Sequence, residues 1–369
     1  MKMIKRIPIF CLLFLSLFLL MLLSILLPKN DYSEVENKYL AKIPTPTIKT
    51  LWDGSFESKY ATYISDQFPQ RSLWINIKSI TETLLFKTEN NGIAYGKDGY
   101  LFSKFQTYDE STYCDNLKAI QDFAKNADSP VHVMIVPSAY SVLTDYVPAG
   151  LPVINERDLV DSGLPVLSSD CDIIDIWDKL EEAQHNYVFY RTDHHWTTYG
   201  AYLAYTDYCN TVGLIPFNAE FSNANTIDDF LGTSYSKCKR IGTVPDIISF
   251  FPFDATITYD SNTYSSIYDF TKLTTRDKYA MFLHGNHAES IVESEDGKNK
   301  RNSLLIIKDS YADSMIPFLT QNYARITCID PRYYLGSIQD LAKDDYDDIL
   351  ILLGIENLSS EGNWVKLSF

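Results

Sequence analysis

Arg191-Thr192-Asp193-His194-His195-Trp196-Thr197-Thr198-Tyr199-Gly200 stands near the middle of a 369-residue chain and sets a carboxylate and two imidazoles in consecutive positions. Imidazole has the side-chain pKa nearest neutrality, which makes it the usual proton carrier at pH 7. An adjacent Asp fixes its tautomer and supports its charged form. The same residues also suit a helix N-terminus, where Thr and Asp are favoured caps, and the spacing predicts a helix from Thr197 to Val212 directly after them. On these ten residues alone, cap and proton relay are both open.

Working outward, Tyr187 to Tyr190 reads as a strand feeding the motif, preceded by a short strand over Asp172–Ile176 and a helix over Trp177–Ala183. More than a hundred residues further on, the apolar strand Ser303–Lys308 runs into Asp309-Ser310, and a helix is expected over Tyr311–Tyr323. A serine at such a strand-to-helix turn exposes its hydroxyl beside helix N-terminal amides, a geometry that supplies both a nucleophile and an oxyanion hole. A hydroxyl needs a general base, which His194 or His195 would provide with Asp193 as orienter. Ser310 alone also reads as an N-cap. Two such sites at predicted strand ends favour the joint catalytic reading.

The remaining pattern is α/β. Val131–Val136 is apolar throughout, as a buried parallel strand is, and Arg325–Ile329 and Asp347–Leu353 are further strands, with a short helix over Ile338–Ala342. Strands alternating with helices imply a parallel sheet with helices on its faces. Helices are expected over Phe56–Phe68, Leu73–Phe86 and Thr112–Ala127, and a hairpin over Ile93–Phe102, where Asp98-Gly99 supplies the turn. Residues 145–170, with Pro148, Gly150, Pro152, Gly163 and Pro165, read as loop; residues 215–285 read as a β-rich insertion, and Glu293–Asn302 as an exposed charged loop.

Ile7 to Leu27 is apolar apart from Pro8, Cys11, Ser16 and Ser24, and follows Lys2, Lys5 and Arg6. About 20 such residues match a bilayer's hydrocarbon thickness, and the basic flank predicts a cytoplasmic N-terminus. With no small-x-small cleavage site before Pro28-Lys29-Asn30-Asp31, residues 1–28 are expected to be an uncleaved signal anchor. Residues 29–50, with Pro28, Pro44 and Pro46 around them, follow as a stalk, and 51–369 as an extracytoplasmic domain. The formal charge of −16 argues against nucleic acid as a partner. Outside the anchor there are five cysteines, Cys114, Cys171, Cys209, Cys238 and Cys328, with no Cys-x-x-Cys pair. That spacing signals neither a zinc site nor a dense disulfide framework, and leaves one, two or no bridges open.

His284-Gly285-Asn286-His287 holds two more of the six histidines. Metal ligands usually sit at fixed spacing on a rigid element or with a supporting carboxylate, whereas this segment reads as a loop; no metal and no cofactor are expected. Asn286 is instead a candidate donor to an oxyanion, with Gly285 allowing close backbone approach.

Asp193-His194-His195-Trp196 resembles the signature of the DHHW protein family, membrane-anchored proteins of Gram-positive bacteria that are themselves similar to the SGNH-hydrolase-like proteins that O-acetylate alginate and other exopolysaccharides. The resemblance extends through Glu34–Leu40, Tyr63–Arg71, the Gly96–Phe102 hairpin, Phe282–Asn286 and Lys308–Ala312. It implies an SGNH-like fold with circularly permuted blocks and a triad of Ser310, His195 and Asp193. The alginate enzymes' Asp-x-His-Trp aligns with Asp193 and His195 and leaves His194 structural or substrate-facing. Two departures stand out: Lys308 occupies the place of the Gly in Gly-Asp-Ser, and Asp193 and His195 are two apart rather than three. Asn286 and Asn357 are the candidates for the family's Asn, with Gly285, Tyr311 and His194 as further oxyanion or substrate contacts.

The resemblance further implies an O-acetyltransferase acting on a cell-surface or secreted polysaccharide, fed by a membrane-bound O-acyltransferase partner that brings acetyl groups across the bilayer. The same triad would serve an esterase that passes acetyl to water. A third reading is a non-catalytic polysaccharide-binding or assembly scaffold.

Overall fold

The computed structural model of the chain describes residues 9–33, 36, 38–294 and 301–368. Lys2, Lys5 and Arg6, together with Glu34, Val35 and Asn37, lie outside the described residues, as do residues 295–300 of the expected charged loop. The chain divides into two compact units, Met1–Lys87 with Lys239–Ile241, and Thr88–Cys238 with Gly242–Phe369.

In the first unit a helix covers Ile9–Leu26. Among the described residues no helix is long and apolar enough to cross a membrane, which departs from the expected span. The described helix has 18 residues and rises about 27 Å, against a hydrocarbon core of about 30 Å. Strands β1 (Tyr32–Ser33) and β2 (Lys38–Tyr39) form a small hairpin, and helices follow over Ile48–Trp52, Ser55–Asp66 and Arg71–Leu84. Asp66 accepts from the Ala41 amide at 3.0 Å and from Lys38 Nζ at 2.8 Å, tying the hairpin to the corner between the last two helices.

The second unit opens with a three-stranded sheet, β3 (Glu89–Asn90), β4 (Ile93–Tyr95) and β5 (Leu101–Ser103), turned by a 3-10 segment in which Asp98 and Gly99 both take positive φ. The main sheet has eight strands in the order β11-β10-β12-β14-β13-β15-β6-β7. These are β6 (Val131–Val136), β7 (Asp172–Ile173), β10 (Thr256–Tyr259), β11 (Asn262–Tyr264), β12 (Glu289–Glu293), β13 (Arg301–Lys308), β14 (Tyr323–Ile329) and β15 (Asp348–Gly354). From β14 to β7 all pairs are parallel; β12, β10 and β11 add antiparallel strands at one edge. A separate antiparallel pair joins β8 (Asn225–Phe230) to β9 (Asp246–Phe250).

The unbroken apolar runs explain this centre. Every residue of β6 and β15 is buried, so neither strand needs the alternation of a half-exposed sheet. Ile349 to Leu353 are fully buried, each contributing about 2 kcal/mol of apolar burial. The helix Glu110–Asn126 starts at the Asp109 side-chain cap. The helix Thr198–Thr211 starts at Thr197, whose hydroxyl accepts from Gly200 N. Tyr208 of that helix bonds to Tyr323 OH at 2.7 Å, which packs it against the start of β14.

Four expectations change. Residues Glu156–Leu167 form a helix rather than loop, because Asn155 caps it and Gly163 lets it approach the Tyr113 hydroxyl, which a Cβ would meet at 2.4 Å. The helix expected over Tyr311–Tyr323 is a 3-10 turn (Ser310–Ser314) and a four-residue helix (Ile316–Leu319), the latter holding Pro317, which has no N–H to extend a helix. Tyr187–Tyr190 is not a strand; a single bridge pairs Phe189 with Trp196. The 215–285 segment is only partly β, since the 3-10 turns Phe270–Thr274 and Lys278–Met281 interrupt it. All six cysteines are free thiols.

Candidate active site

In an open parallel sheet, loops at the carboxyl ends of the strands form the site. Here β6 ends at Val136, two residues before Ser138, β13 runs into Asp309-Ser310, and β15 ends at Gly354 before Glu356 and Asn357. The Asp193–Trp196 loop reaches the same edge. His195 Nε2 lies 2.8 Å from Ser310 Oγ and His195 Nδ1 lies 2.6 Å from Asp193 Oδ1. A carboxylate only accepts, so Nδ1 carries the proton. Nε2 of the neutral ring is then the acceptor for the serine hydroxyl.

Asp193 is fully committed. Its Oδ1 also accepts from His195 N at 3.0 Å, and its Oδ2 accepts from Thr233 N at 2.7 Å and Thr233 Oγ at 2.9 Å. Burial alone would raise its pKa, but the two imidazoles and these donors outweigh burial and hold the carboxyl well below the usual range. Gly232 leaves the room required, since a Cβ there would lie 2.3 Å from Asp193 Oδ2. Thr192 N, Thr192 Oγ and Arg191 N all donate to Asp246, which also accepts from Tyr187 OH. Gly232, Thr233 and Asp246 all come from the inserted segment, which therefore holds the base in place.

Tyr279 stacks on His195 with ring centroids 4.1 Å apart and planes 8° apart, and its hydroxyl donates to Ser310 O at 3.0 Å. Trp196 Nε1 donates to Tyr311 O at 2.9 Å, and Tyr311 OH donates to His194 O at 2.9 Å. Tyr311 thus stitches the two loops together. Asp309 closes the serine turn: Oδ1 accepts from Tyr311 N at 2.9 Å, and Oδ2 accepts from Gly354 N and Asn357 Nδ2, both at 2.7 Å. Asn357 therefore braces this turn. Ser310 N heads a 3-10 turn whose first amides lack internal partners, which makes it the nearest candidate donor to an oxyanion.

Lys308, in place of a glycine, is fully buried and pairs with Asp313. Burial pushes the lysine down, but Asp313 and Asp330 outweigh it and its pKa is raised. Asp313 is pushed up to about 6 by burial, with Lys308 opposing. Lys308 Nζ also lies 3.4 Å from Asn286 Oδ1. Asn286 is exposed and Gly285 has φ 95°; no contact brings either to Ser310.

His194 stands beside the triad with its ring centroid 3.8 Å from that of His195 and its Nδ1 2.7 Å from Thr233 Oγ. Burial and then His195 push its pKa down. The donor atoms of Asp193, His194 and His195 lie within 4.8 Å of one another, close enough to weigh as a metal cluster. The Asp193 oxygens and both His195 nitrogens are, however, already hydrogen-bonded in the relay. His284 and His287 do not join them: His284 bonds Tyr259 and Ser266, and His287 stacks on Tyr259. Gly232, Thr233, Asp246 and Tyr279 carry no local sequence signature, and sequence reasoning missed them.

Comparison with known proteins shows what the chain is similar to. The alginate O-acetylase AlgJ (named as probable) of Pseudomonas syringae pv. tomato is 28% identical over 170 residues, 43% of this chain and 43% of that protein. The chain thus spans about two fifths of the curated relative's length. A DHHW family protein from Eubacterium siraeum shares 25% identity at a TM-score of 0.64, covering 75% of this chain and 95% of that one. Bacillus cereus PatB1 shares the fold, with 19% identity, a TM-score of 0.60 and coverage of 73% and 98%. The family model described as DHHW protein matches residues 89–329, from β3 through the Asp193–Trp196 loop and the Ser310 turn to the end of β14. By that match, which takes in both halves of the relay, the chain belongs to the DHHW protein family.

Proposed function

We propose that the protein is an O-acyltransferase that places acetyl groups on hydroxyls of a polysaccharide through an acyl-Ser310 intermediate. The observation that carries this reading is the unbroken chain Asp193–His195–Ser310, at 2.6 and 2.8 Å. Ser310 Oγ attacks the carbonyl carbon of an acetyl ester and passes its proton to His195 Nε2. Asp193 stabilises the imidazolium, and the Ser310 amide donates to the oxyanion. His195 then protonates the leaving group. In the second half, an acceptor hydroxyl gives its proton to His195 and takes the acetyl. Naming of the AlgJ relative as an alginate O-acetylase supports a polysaccharide acceptor.

The Lys2, Lys5 and Arg6 flank and the apolar Ile9–Leu26 helix support tethering at the cell membrane with the catalytic unit outside the cytoplasm. There acetyl-coenzyme A is absent, and a membrane-bound O-acyltransferase would deliver the acetyl group. Water in place of the sugar would make the same site an esterase.

Mixing purified protein with p-nitrophenyl acetate tests the chemistry. The wild type releases a burst of p-nitrophenolate, and Ser310→Ala lowers the rate by about a thousandfold or more. A burst that survives in Ser310→Ala overturns the reading.

A further inference from the structure

Beside the triad, the carboxyl ends of β6, β13 and β15 leave a cavity of about 260 Å³. Phe102 and Tyr311 give it apolar walls, and His194, Glu356, Ser138 and Lys237 line it with polar groups. The hydrogen-bond inventory of those groups is lopsided. Thr233 has one hydroxyl hydrogen, and Asp193 Oδ2 can only accept it. Thr233 Oγ must therefore accept from His194 Nδ1–H. The neutral ring then offers Nε2 as an acceptor that is uncommitted among the described residues. Glu356 Oε1 takes the Ser138 hydroxyl at 3.1 Å, which leaves Oε2 open among the described residues. Behind Ser138 lies a second carboxyl group, that of Glu156, fully buried, with Oε2 accepting from Ser138 N and, among the described residues, Oε1 without a partner. Lys237 is the one cation in the lining. Arg332, whose charge also acts on His194, is committed to Asp330.

A ligand that satisfies such a surface brings hydrogens rather than charge. We propose that this cavity is the acceptor subsite and takes an uncharged, hydroxyl-rich sugar residue, its hydroxyl hydrogens on Glu356 and His194 Nε2 and its C–H face against Phe102 and Tyr311. A uronate carboxylate is acceptor-only and negative; it meets the same two acceptors, with Lys237 alone to offset them. The inference rests on Ser310 as acyl carrier. In the transfer it serves, the Ser310 Oγ–acetyl bond breaks and a sugar O–acetyl bond forms. The sugar hydroxyl's proton passes to His195 Nε2 and on to Ser310 Oγ.

Binding measured on Ser310→Ala separates the subsite from the chemistry, since no turnover is needed. Full-length Ser310→Ala protein is titrated by calorimetry with cellohexaose, chitohexaose and an oligoguluronate of equal length. The neutral hexamers are expected to bind at least tenfold more tightly than the uronate. Adding Glu356→Ala is expected to weaken them at least tenfold. Glu356→Gln keeps the shape but replaces an acceptor with a donor, and is expected to shrink the neutral-to-uronate ratio, which cancels any loss of folded protein. Equal or tighter uronate binding, no binding by either neutral hexamer, or an unmoved ratio in Glu356→Gln overturns the subsite. A wild type that forms no acyl-Ser310 but still prefers neutral hexamers overturns the proposed chemistry and leaves the subsite standing.

Discussion

The base and the nucleophile of this site are held by different kinds of structure. Ser310 sits on a turn braced by the sheet itself: Asp309 clamps Tyr311 N, Gly354 N and Asn357, and Lys308 pairs with Asp313 beneath it. The Asp193–Trp196 loop meets that turn through Trp196 and His194, both on Tyr311, and is otherwise pinned by Gly232, Thr233 and Asp246 of the inserted segment. Changes to the insertion should therefore misplace the base while the serine turn stays formed. Changes to the sheet should act on stability first.

The largest effect is expected where the base has least room. Gly232→Ala drives a methyl into Asp193, 2.3 Å from Oδ2, and a displacement of about 1 Å costs on the order of a hundredfold in kcat. Steady-state kinetics on a burst-competent ester should show kcat falling with the fold intact by circular dichroism. An unchanged kcat would mean that the insertion does not set the base. Asp246→Ala leaves the Arg191 amide, the Thr192 amide and the Thr192 hydroxyl without their acceptor. About 2–3 kcal/mol of stability should be lost, read as a lower urea midpoint. Thr233→Val keeps the amide bond to Asp193 and removes only the hydroxyl bonds. A fall in kcat of about tenfold is expected from loss of the hydroxyl's bond to charged Asp193, about 1.4 kcal/mol.

The smallest effect falls on the sheet side. Burial raises the Glu156 pKa from 4.5 to about 7, with Ser138 opposing. The folded protein then holds a proton that the unfolded chain has released, so stability falls as pH rises from about 4.5 to about 7. Between pH 6 and pH 7.5 the loss is about 1 kcal/mol. Glu156→Gln removes that slope, and thermal melts of the two proteins at the two pH values should show it. Parallel curves for both would remove Glu156 from the account.

The same contrast explains what could be read from residues alone. The sheet was legible because Val131–Val136 and Asp348–Gly354 are continuous apolar runs, and their burial follows directly from composition. Asp193, His195 and Ser310 were legible because chemistry-bearing residues stood beside predicted strand ends. The grip on the base was not. Thr233 and Asp246 are ordinary polar residues at a helix start and a strand start until the chain brings them 40 and 54 positions back to the motif. Tyr279 reads as one aromatic among many. The roles of the asparagines were not legible for a related reason: an amide side chain in a loop has no local sign of its partner. Asn357 turns out to brace Asp309, and Asn286 to meet Lys308.

The central claim is that Ser310 carries the acyl group, with His195 as its base. Peptide mapping of protein quenched in acid after brief exposure to p-nitrophenyl acetate tests it most directly. A mass gain of one acetyl on the peptide holding Ser310, absent in Ser310→Ala and formed far more slowly in His195→Ala, is the predicted result. An acetyl adduct on another residue, or one that forms at the same rate without His195, would contradict it.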